Sequence, residues 1–564
     1  MGLNGSLSIA SRALEVNAAG IQVAGNNIAN ANTPGYVRNQ LILNTNGSSR
    51  SGQLIFGTGV TAAGIRQQID TYLETRIYTA NGDATGAQTR STVYKQLESA
   101  IQELSGNDLS SNLNDFLSKI NDVVNQAESA GSRQLAVGQG FQFAQSITTL
   151  RSRVDDQRSA LGIKVVDLTN EANRLIDQIS KLNPQIVGSE SAGLLQSDAS
   201  DLRNQRLTAL NRLSEILPIK TIEHPTGNVD VFFGSENLVI NSNVRHLETV
   251  QTVNRNLTIT NVRVEGSNVP VTGTQGELNG VLNGRDNILG GFVDRLDTLA
   301  SNTIFEFNKI HASGQGTKGY SSLTSSYKVS DPAAALIVAG LKFTPQNGSF
   351  QVKVINTTTG LAQTSTINIT LNGGPGDTTL NSLAAQLGSV GNITAGVSGD
   401  RRLTLSAAPG YEIQFADDTS HALASLGVNN FFTGTDSQTI GVNSLIQADQ
   451  SLFATARGGG PADSSNATLL ARIVDNPVAG LGQSTIQDYY QKTIDTVSQS
   501  SASEAAFAEG YATFRNSLSS QRDQYSGVSL DEEAISILKF QHAYQVSGKF
   551  ITTIDELFRT LLQI

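Results

Sequence analysis

The sequence has no cysteine and no tryptophan, and one methionine among 564 residues. Without thiols there is no disulfide framework, no thiolate metal site and no cysteine nucleophile. Histidine is nearly as scarce. His224, His246, His311, His421 and His542 are the full set, and no two are one helical turn apart, so the paired-histidine spacing of a zinc protease is missing. There is no Gly-x-Ser-x-Gly nucleophile elbow either. Charge is sparse: Lys+Arg 39 against Asp+Glu 49 gives a net charge of −10, with no basic block. That disfavours nucleic acid and anionic membranes as partners, since both are bound through clustered cations. No apolar run reaches the ~18 residues of a membrane span, so no membrane insertion is expected. The beginning lacks the basic region and unbroken apolar core of a secretory signal, with Arg12 its only charge before Glu15. Export, if it occurs, takes another route.

What the chain has instead is Asn, Gln, Ser, Thr and Gly, a composition expected of an extracellular structural protein rather than a cytosolic enzyme. Two features imitate chemistry. Gly314, Gly316 and Gly319 in "GQGTKG" satisfy G-x-G-x-x-G, but they follow a helical pattern and enter a Ser-rich stretch. The dinucleotide motif needs the reverse order, so a flexible connector is expected. The adjacent carboxylates Asp155-Asp156, Asp417-Asp418 and Glu532-Glu533 point about 100° apart on a helix and are expected on solvated faces and caps. No catalytic constellation emerges. Neither a cofactor nor a metal site is predicted.

The length predicts roughly three to four domains, and the pattern predicts a multidomain α+β fold. A long α-helical rod or bundle is built from both termini, with β-rich inserted domains in the middle. Residues 1–69 read as an amphipathic helix with an extended segment, and 70–217 as a long-helix bundle with breaks near Gly106, Gly131 and Pro184. Residues 218–277 form a first β-rich module, "NVDVFF" and "NLTITNVRVEG" alternating with period two. Residues 278–325 return to the bundle. Residues 326–442 make a mixed β/α outer module around a helix at Leu380–Gly388, 443–528 return again, and 529–564 form a last helix.

The two ends match. Leu7, Leu14, Ile21 and Ile28 repeat every seven residues, with Leu3, Ala10, Asn17 and Ala24 as a second row, a narrow seam of the coiled-coil type. Gly20 and Gly25 each cost up to ~1 kcal/mol against alanine, so this helix is marginal alone. It stops where Asn30 or Asn32 can take a left-handed conformation and Pro34 forces Thr33 out of the helical region. In the last helix Ser529 and Glu532 have capping-box spacing. Leu538, Gln541, Tyr544, Gly548, Ile551, Ile554, Phe558 and Leu561 then mark a stripe at three- and four-residue steps. Either the terminal helices pair, with Leu7, Leu14, Ile21 and Ile28 meeting Leu538, Ile551, Ile554 and Phe558, or both pack on the domain core.

The stretch "NNIANANTPGY" resembles the N-terminal signature of bacterial flagellar rod, hook and hook-associated axial proteins, through Asn27, Ile28, Ala29, Asn30, Thr33, Gly35 and Tyr36. The segment from Gly527 onward, "GVSLDEEAISILKFQHAYQVSGKFITTIDELFRTLL", resembles the family's other end. Internally, "GELNGVLNGRDNILGGFVDRLDTLASNTIFEFNKIHASG", "DLRNQRLTALNRLSEIL" and "SHALASLGVNNFFTG" are similar to the hook-associated protein 1 branch, although an acidic residue usual there is Leu207 here. The region Phe343–Phe415 is only loosely similar to insert modules of flagellins and hook proteins.

That resemblance implies a structural, non-enzymatic junction component between hook and filament, active in motility. It implies three neighbours: further copies of itself in a ring layer, the hook protein, and a second junction protein. It also implies extracellular placement in the flagellum, reached through the flagellar type III apparatus without a cleaved signal, and an export chaperone on the C-terminal helix. The residues expected at the assembly interface are Leu7, Leu14, Ile21, Ile28, Asn27, Asn30, Leu538, Gln541, Tyr544, Ile551, Ile554, Phe558 and Leu561. The alternatives are a sibling axial protein (hook, distal rod or second junction), a secreted enzyme on a flagellar frame with its chemistry between Ile219 and Asn443, or an adhesin.

Overall fold

The computed structural model describes residues 2–51, 53–101, 108–191, 197–268 and 270–563. The fold is multidomain α+β, with long helices from both ends of the chain and β-rich segments between them. Two compact units divide it. One comprises Met1–Val93, Ser159–Arg285 and Ser501–Ile564, the other Tyr94–Arg158 and Asp286–Ser500. Among the described residues no helix is long and apolar enough to cross a membrane.

In the first unit the helix Leu3–Asn30 is followed by an antiparallel hairpin, Asn39–Thr45 with Val60–Gln67, which pairs Leu41 with Ile65 and bulges between Ile42 and Leu43. The helix Ser200–Ile216 ends one residue short of the boundary expected at 217. Leu217 is already extended because Pro218 excludes it from the helical region. A four-stranded antiparallel sheet follows, Ile219–Glu223, Val229–Phe233, Glu236–Ile240 and Asn243–Val244, then the hairpin Leu247–Asn254 with Leu257–Val264. The buried Arg285 guanidinium donates to the Thr260 carbonyl (2.5 Å) and to Asn261 Oδ1 (2.8 Å), tying that hairpin to the polypeptide after Asn283. Gly280 and Gly86 allow a close helix crossing: a Cβ on Gly280 would lie 2.9 Å from the Gly86 carbonyl.

The expected helix break at Pro184 is not there. Ala130–Ser191 runs through it unbroken. Proline forfeits one backbone bond at that turn, and neighbouring Asn183 is fully buried and holds the segment from outside. Its amide donates to the carbonyls of Val229 (2.9 Å) and Asn241 (2.8 Å). The break near Gly131 does exist, between Asn125 and Ala130. The one expected at Gly106 lies outside the described residues.

The second unit is centred on phenylalanine. Phe116 stacks on Phe143 (6.0 Å between centroids) and on Phe431 (5.6 Å), while Phe307 lies 5.1 Å from both Phe431 and Phe432. Asn308 fixes the strand end beside them, accepting from the amides of Phe431 and Phe432 and donating to the Phe432 carbonyl. Two three-stranded antiparallel sheets and the short pair Phe432–Thr433 with Gly441–Val442 belong to the same unit. Gly348–Asn356 lies between Ala362–Ile369 and Tyr411–Ala416, and Leu403–Ala407 lies between Ser322–Thr324 and Ile393–Val397. The expected helix Leu380–Gly388 is present, with a reciprocal cap between Thr379 and Ser382.

The glycine triplet is a packed turn rather than a flexible connector. Gln315 bridges to Ala456 and Tyr320 to Ile413, and a side chain at Gly316 or Gly319 would run into the backbone of Ser451 or Ile413. Asp418 is buried rather than solvated, and accepts from the amides of Ser420 and Leu423. Asp155 also departs from a solvated face, since it pairs with Arg151 and with the fully buried Arg158.

His311 is sealed inside this core. Its Nε2 accepts from the Ala454 amide (3.1 Å), so Nδ1 carries the proton and donates to the Asn429 carbonyl (2.8 Å). Burial pushes its pKa down to about 4. A depressed histidine contributes stability that is complete above its unfolded value near 6.5 and is lost as pH falls towards the folded value. Between pH 7 and 4 the unit therefore loses about 3 kcal/mol from this residue. Urea unfolding across that range should show the loss, and His311→Gln should remove it. An unchanged pH profile in the variant would refute the assignment.

Candidate assembly site

The halt at the end of the first helix is a buried polar junction. Asn27 is 1 % exposed and uses its whole amide. Its Nδ2 donates to the Asn39 carbonyl (2.9 Å) and to Glu533 Oε2 (3.2 Å). Its Oδ1 accepts from the Tyr36 hydroxyl (2.9 Å) and the Asn39 amide (3.0 Å). Two donors and two acceptor sites are all a carboxamide offers, so no other side chain of this size fits. Thr33-Pro34-Gly35 is what returns the chain. Gly35 adopts a left-handed φ of 79°, and Tyr36, nine positions after Asn27, comes back to lie against it. Burial pushes the Tyr36 hydroxyl up, partly offset by the hydrogen bond from Asn39.

Around this node the first and last helices are joined to the rest of the unit. Asn39 donates to Tyr36 Oη (3.0 Å) and accepts from the Ser200 hydroxyl (2.6 Å). The Val37 amide and Gln67 both donate to Asn204 Oδ1. Arg38 spans the start of the last helix: its Nη1 donates to Glu532 (2.8 Å), and its Nη2 lies 2.7 Å from Glu533 Oε1. That second contact is an ion pair whose N–H direction is not that of a hydrogen bond. Glu533 is therefore a buried partner rather than a solvated cap residue. Its neighbour Glu532 keeps the cap only through its amide, on Ser529, and sends its carboxylate to Arg38.

Leu3–Asn30 and Leu530–Leu562 pack along each other. Asn27 meets Glu533, and seven residues back along the first helix Gly20 meets Phe540, seven residues on in the last, so the pair is antiparallel. A Cβ on Gly20 would lie 2.7 Å from Phe540 ring atoms. The fully covered row of the first helix is Ala10, Val16, Gly20, Ala24 and Asn27, mostly small residues that let the backbones approach. Leu14, Ile21 and Ile28 are half-buried beside it, and Leu7 is exposed. Asn30 turns back on its own helix, donating to the Asn26 carbonyl and Oδ1.

On the last helix Ile554 is buried and Ile551 and Phe558 are half-buried, whereas Leu538, Gln541, Tyr544 and Leu561 are exposed. The expected stripe steps mostly by three. A helix turns every 3.6 residues, so the stripe winds round the helix instead of staying on one face. The row towards the first helix begins at Glu533 and Phe540 and reaches Ile551, Ile554 and Phe558. Phe540 was not anticipated. Its signal was Gly20, a helical position where a missing side chain makes room for the ring.

Gly20→Val should cost about 1–3 kcal/mol through overpacking against Phe540. Phe540→Ala in the same chain should recover part of that loss. A double-mutant cycle on thermal unfolding checks it, and strict additivity would show that the two residues do not meet.

Three family models match in chain order. Residues 7–36 match the flagella basal body rod protein, residues 94–323 the flagellar hook-associated protein FlgK helical domain, and residues 519–564 the flagellar basal body rod FlgEFG protein C-terminal segment. Flagellar hook-associated protein 1 of Bacillus subtilis is 24% identical over 98% of this chain and 96% of its own length. The Salmonella typhimurium protein of the same name is 22% identical over 97% of each. The flagellar hook junction protein FlgK from Burkholderia pseudomallei has a similar fold, with a TM-score of 0.50 and 15% identity, covering 81% of this chain and all of that one. With both terminal segments, the helical domain and relatives matched almost end to end, this chain belongs to the flagellar hook-associated protein 1 family, structural components of the bacterial flagellum.

Proposed function

We propose that copies of this chain assemble into the layer between hook and filament through their terminal helices, in the flagellum outside the cell. The observation that carries this reading is a second apolar stripe on the last helix. Ile535, Leu538, Val546 and Leu557 fall within about 100° of one another around the helix, on the side away from Phe540, and all four are exposed, as are Phe550 and Leu561 beside the packed row. A helix with one apolar row packed and another bare has a face to cover, and burying such side chains is worth ~1.5–3 kcal/mol each. The hook protein below and a second junction protein above are the neighbours this placement requires. An export chaperone covering the bare stripe before assembly fits the same feature. In this reading residues 1–69 and 529–564 form the assembly core, and the β-rich segments 218–277 and 326–442 are inserted modules. The role is structural, not catalytic.

The test is electron microscopy of isolated hooks incubated with purified chain, beside a version lacking Met1–Asn32 and Asp531–Ile564. Density on the far end of the hook with the full chain alone is expected. Capping by both versions would remove the terminal helices from the mechanism, and capping by neither would remove the junction role.

A further inference from the structure

A pocket of about 620 Å³ lies in the first unit, lined among others by Tyr72, Glu74, Tyr78, Arg203, Arg206 and Glu223. Glu74 is 4 % exposed, and neither of its carboxylate oxygens has a hydrogen-bond partner among the described residues. A buried acceptor without a donor is costly enough that such groups are nearly always satisfied. An apolar residue at this position on Thr71–Ile101 would avoid the penalty altogether.

The charges around Glu74 do not supply the missing donor. Arg203 is engaged by Glu190 (2.6 and 2.9 Å) and Glu223 (2.6 Å). Arg206 is engaged by Asn183, the Gly227 carbonyl and Glu223. Arg522 acts on Glu74 through its charge but is hydrogen-bonded to Asp523, and Asp523 and Asp70 add negative charge. His224, also on the pocket wall, is held by Asp230. With both wall arginines already paired, the pocket has little to offer an anion. Its unmet requirement is for N–H donors carrying positive charge. Two tyrosines on its wall, Tyr72 largely exposed and Tyr78 buried, suit the carbon stem and ring-face attraction of an organic cation. A single carboxylate is a poor metal site, and among the described residues there is no cluster of three metal-ligating side chains.

We propose that this pocket binds an organic cation, an alkylammonium or guanidinium group whose N–H donors engage the Glu74 carboxylate. The cation is either a free amine or the lysine or arginine side chain of a second copy of this chain; the second source alone rests on the assembly reading above. Burial raises the Glu74 pKa to about 7. The carboxyl is therefore largely protonated at pH 6 and ionised at pH 8, and the cation binds the ionised form.

The first experiment is calorimetric titration of the unassembled full chain with butylammonium and methylguanidinium chlorides, with tetramethylammonium as a cation that has no N–H. Saturable binding is expected at pH 8 for the first two, weakened at least tenfold for tetramethylammonium and in Glu74→Gln. About tenfold weakening is also expected on going to pH 6. No saturable binding, or binding indifferent to Glu74→Gln, to donor loss or to pH, would overturn the proposal. Should the variant fail to fold, the tetramethylammonium and pH comparisons on the natural chain decide. The hook-capping assay, repeated with saturating butylammonium, then assigns the source. Inhibited capping points to a neighbouring copy's side chain and unchanged capping to a free amine; both keep the pocket. Because the titration uses unassembled chain, its outcome is independent of whether the junction reading holds.

Discussion

Ile554→Asp should abolish capping of hooks while leaving the phenylalanine-centred unit intact. Ile554 is 2 % exposed, on the side of the last helix that packs along the first. An aspartate there either buries an unpaired charge, at a cost of several kcal/mol, or the helices part to let water reach it. A marginal first helix with Gly20 and Gly25 in its interior has little propensity of its own to fall back on. Leu14→Asp should act in the same direction but more weakly, because Leu14 is only half-buried in the single chain. Hydrogen exchange should rise across Leu3–Asn30 and Leu530–Leu562 in both variants. Protection of the strands beside Phe431 and Phe350 should stay at the natural level. Hook capping at the natural level by Ile554→Asp would show that this helix pair is not needed for assembly.

The contrast between these two positions shows how far the sequence could be read. The existence and type of most elements follow from period and punctuation: the ends of Ser200–Ile216 and Leu380–Gly388, and the alternation in Val229–Phe233 and Gly348–Asn356, lie within one residue of where the sequence puts them. Pro184 misled because a local breaker was outweighed by tertiary bonds from Asn183 to the strand end at Val229 and to Asn241, some fifty positions away. In the terminal helices, large apolar residues were the natural guide to the seam. The pair instead closes over Ala10, Gly20 and Ala24, because small residues set how near two backbones come. Periodicity finds a stripe, but it does not say which of two stripes on one helix is packed and which is bare. Glu533 carried no signal as a buried ion. Its neighbours Arg38 and Asn27 are about 500 positions away in sequence, and nothing local announces that they meet.

Asn27→Leu should cost the first unit about 3–5 kcal/mol, the range for stripping one partner from a buried charge network. The substitution leaves the Asn39 amide, the Asn39 carbonyl and one oxygen of Glu533 without their donor or acceptor at once, and frees Tyr36 from the helix it returns to. Asn27→Asp keeps the shape and both acceptor functions, but replaces the amide donor to Glu533 with a second carboxylate about 3 Å away. Two carboxylates that close cannot both ionise cheaply, so one takes up a proton as pH falls. The aspartate variant should therefore be the less stable of the two at pH 8, and should recover relative to the natural chain by pH 5. The leucine variant removes a donor from Glu533 but adds no second carboxylate, so its deficit should change less between the two pH values. Urea unfolding of the three proteins at both pH values measures this directly. If the aspartate and leucine deficits stay equal throughout, Glu533 does not carry its charge beside residue 27, and the junction is held by the hydrogen bonds among Asn27, Tyr36 and Asn39 alone.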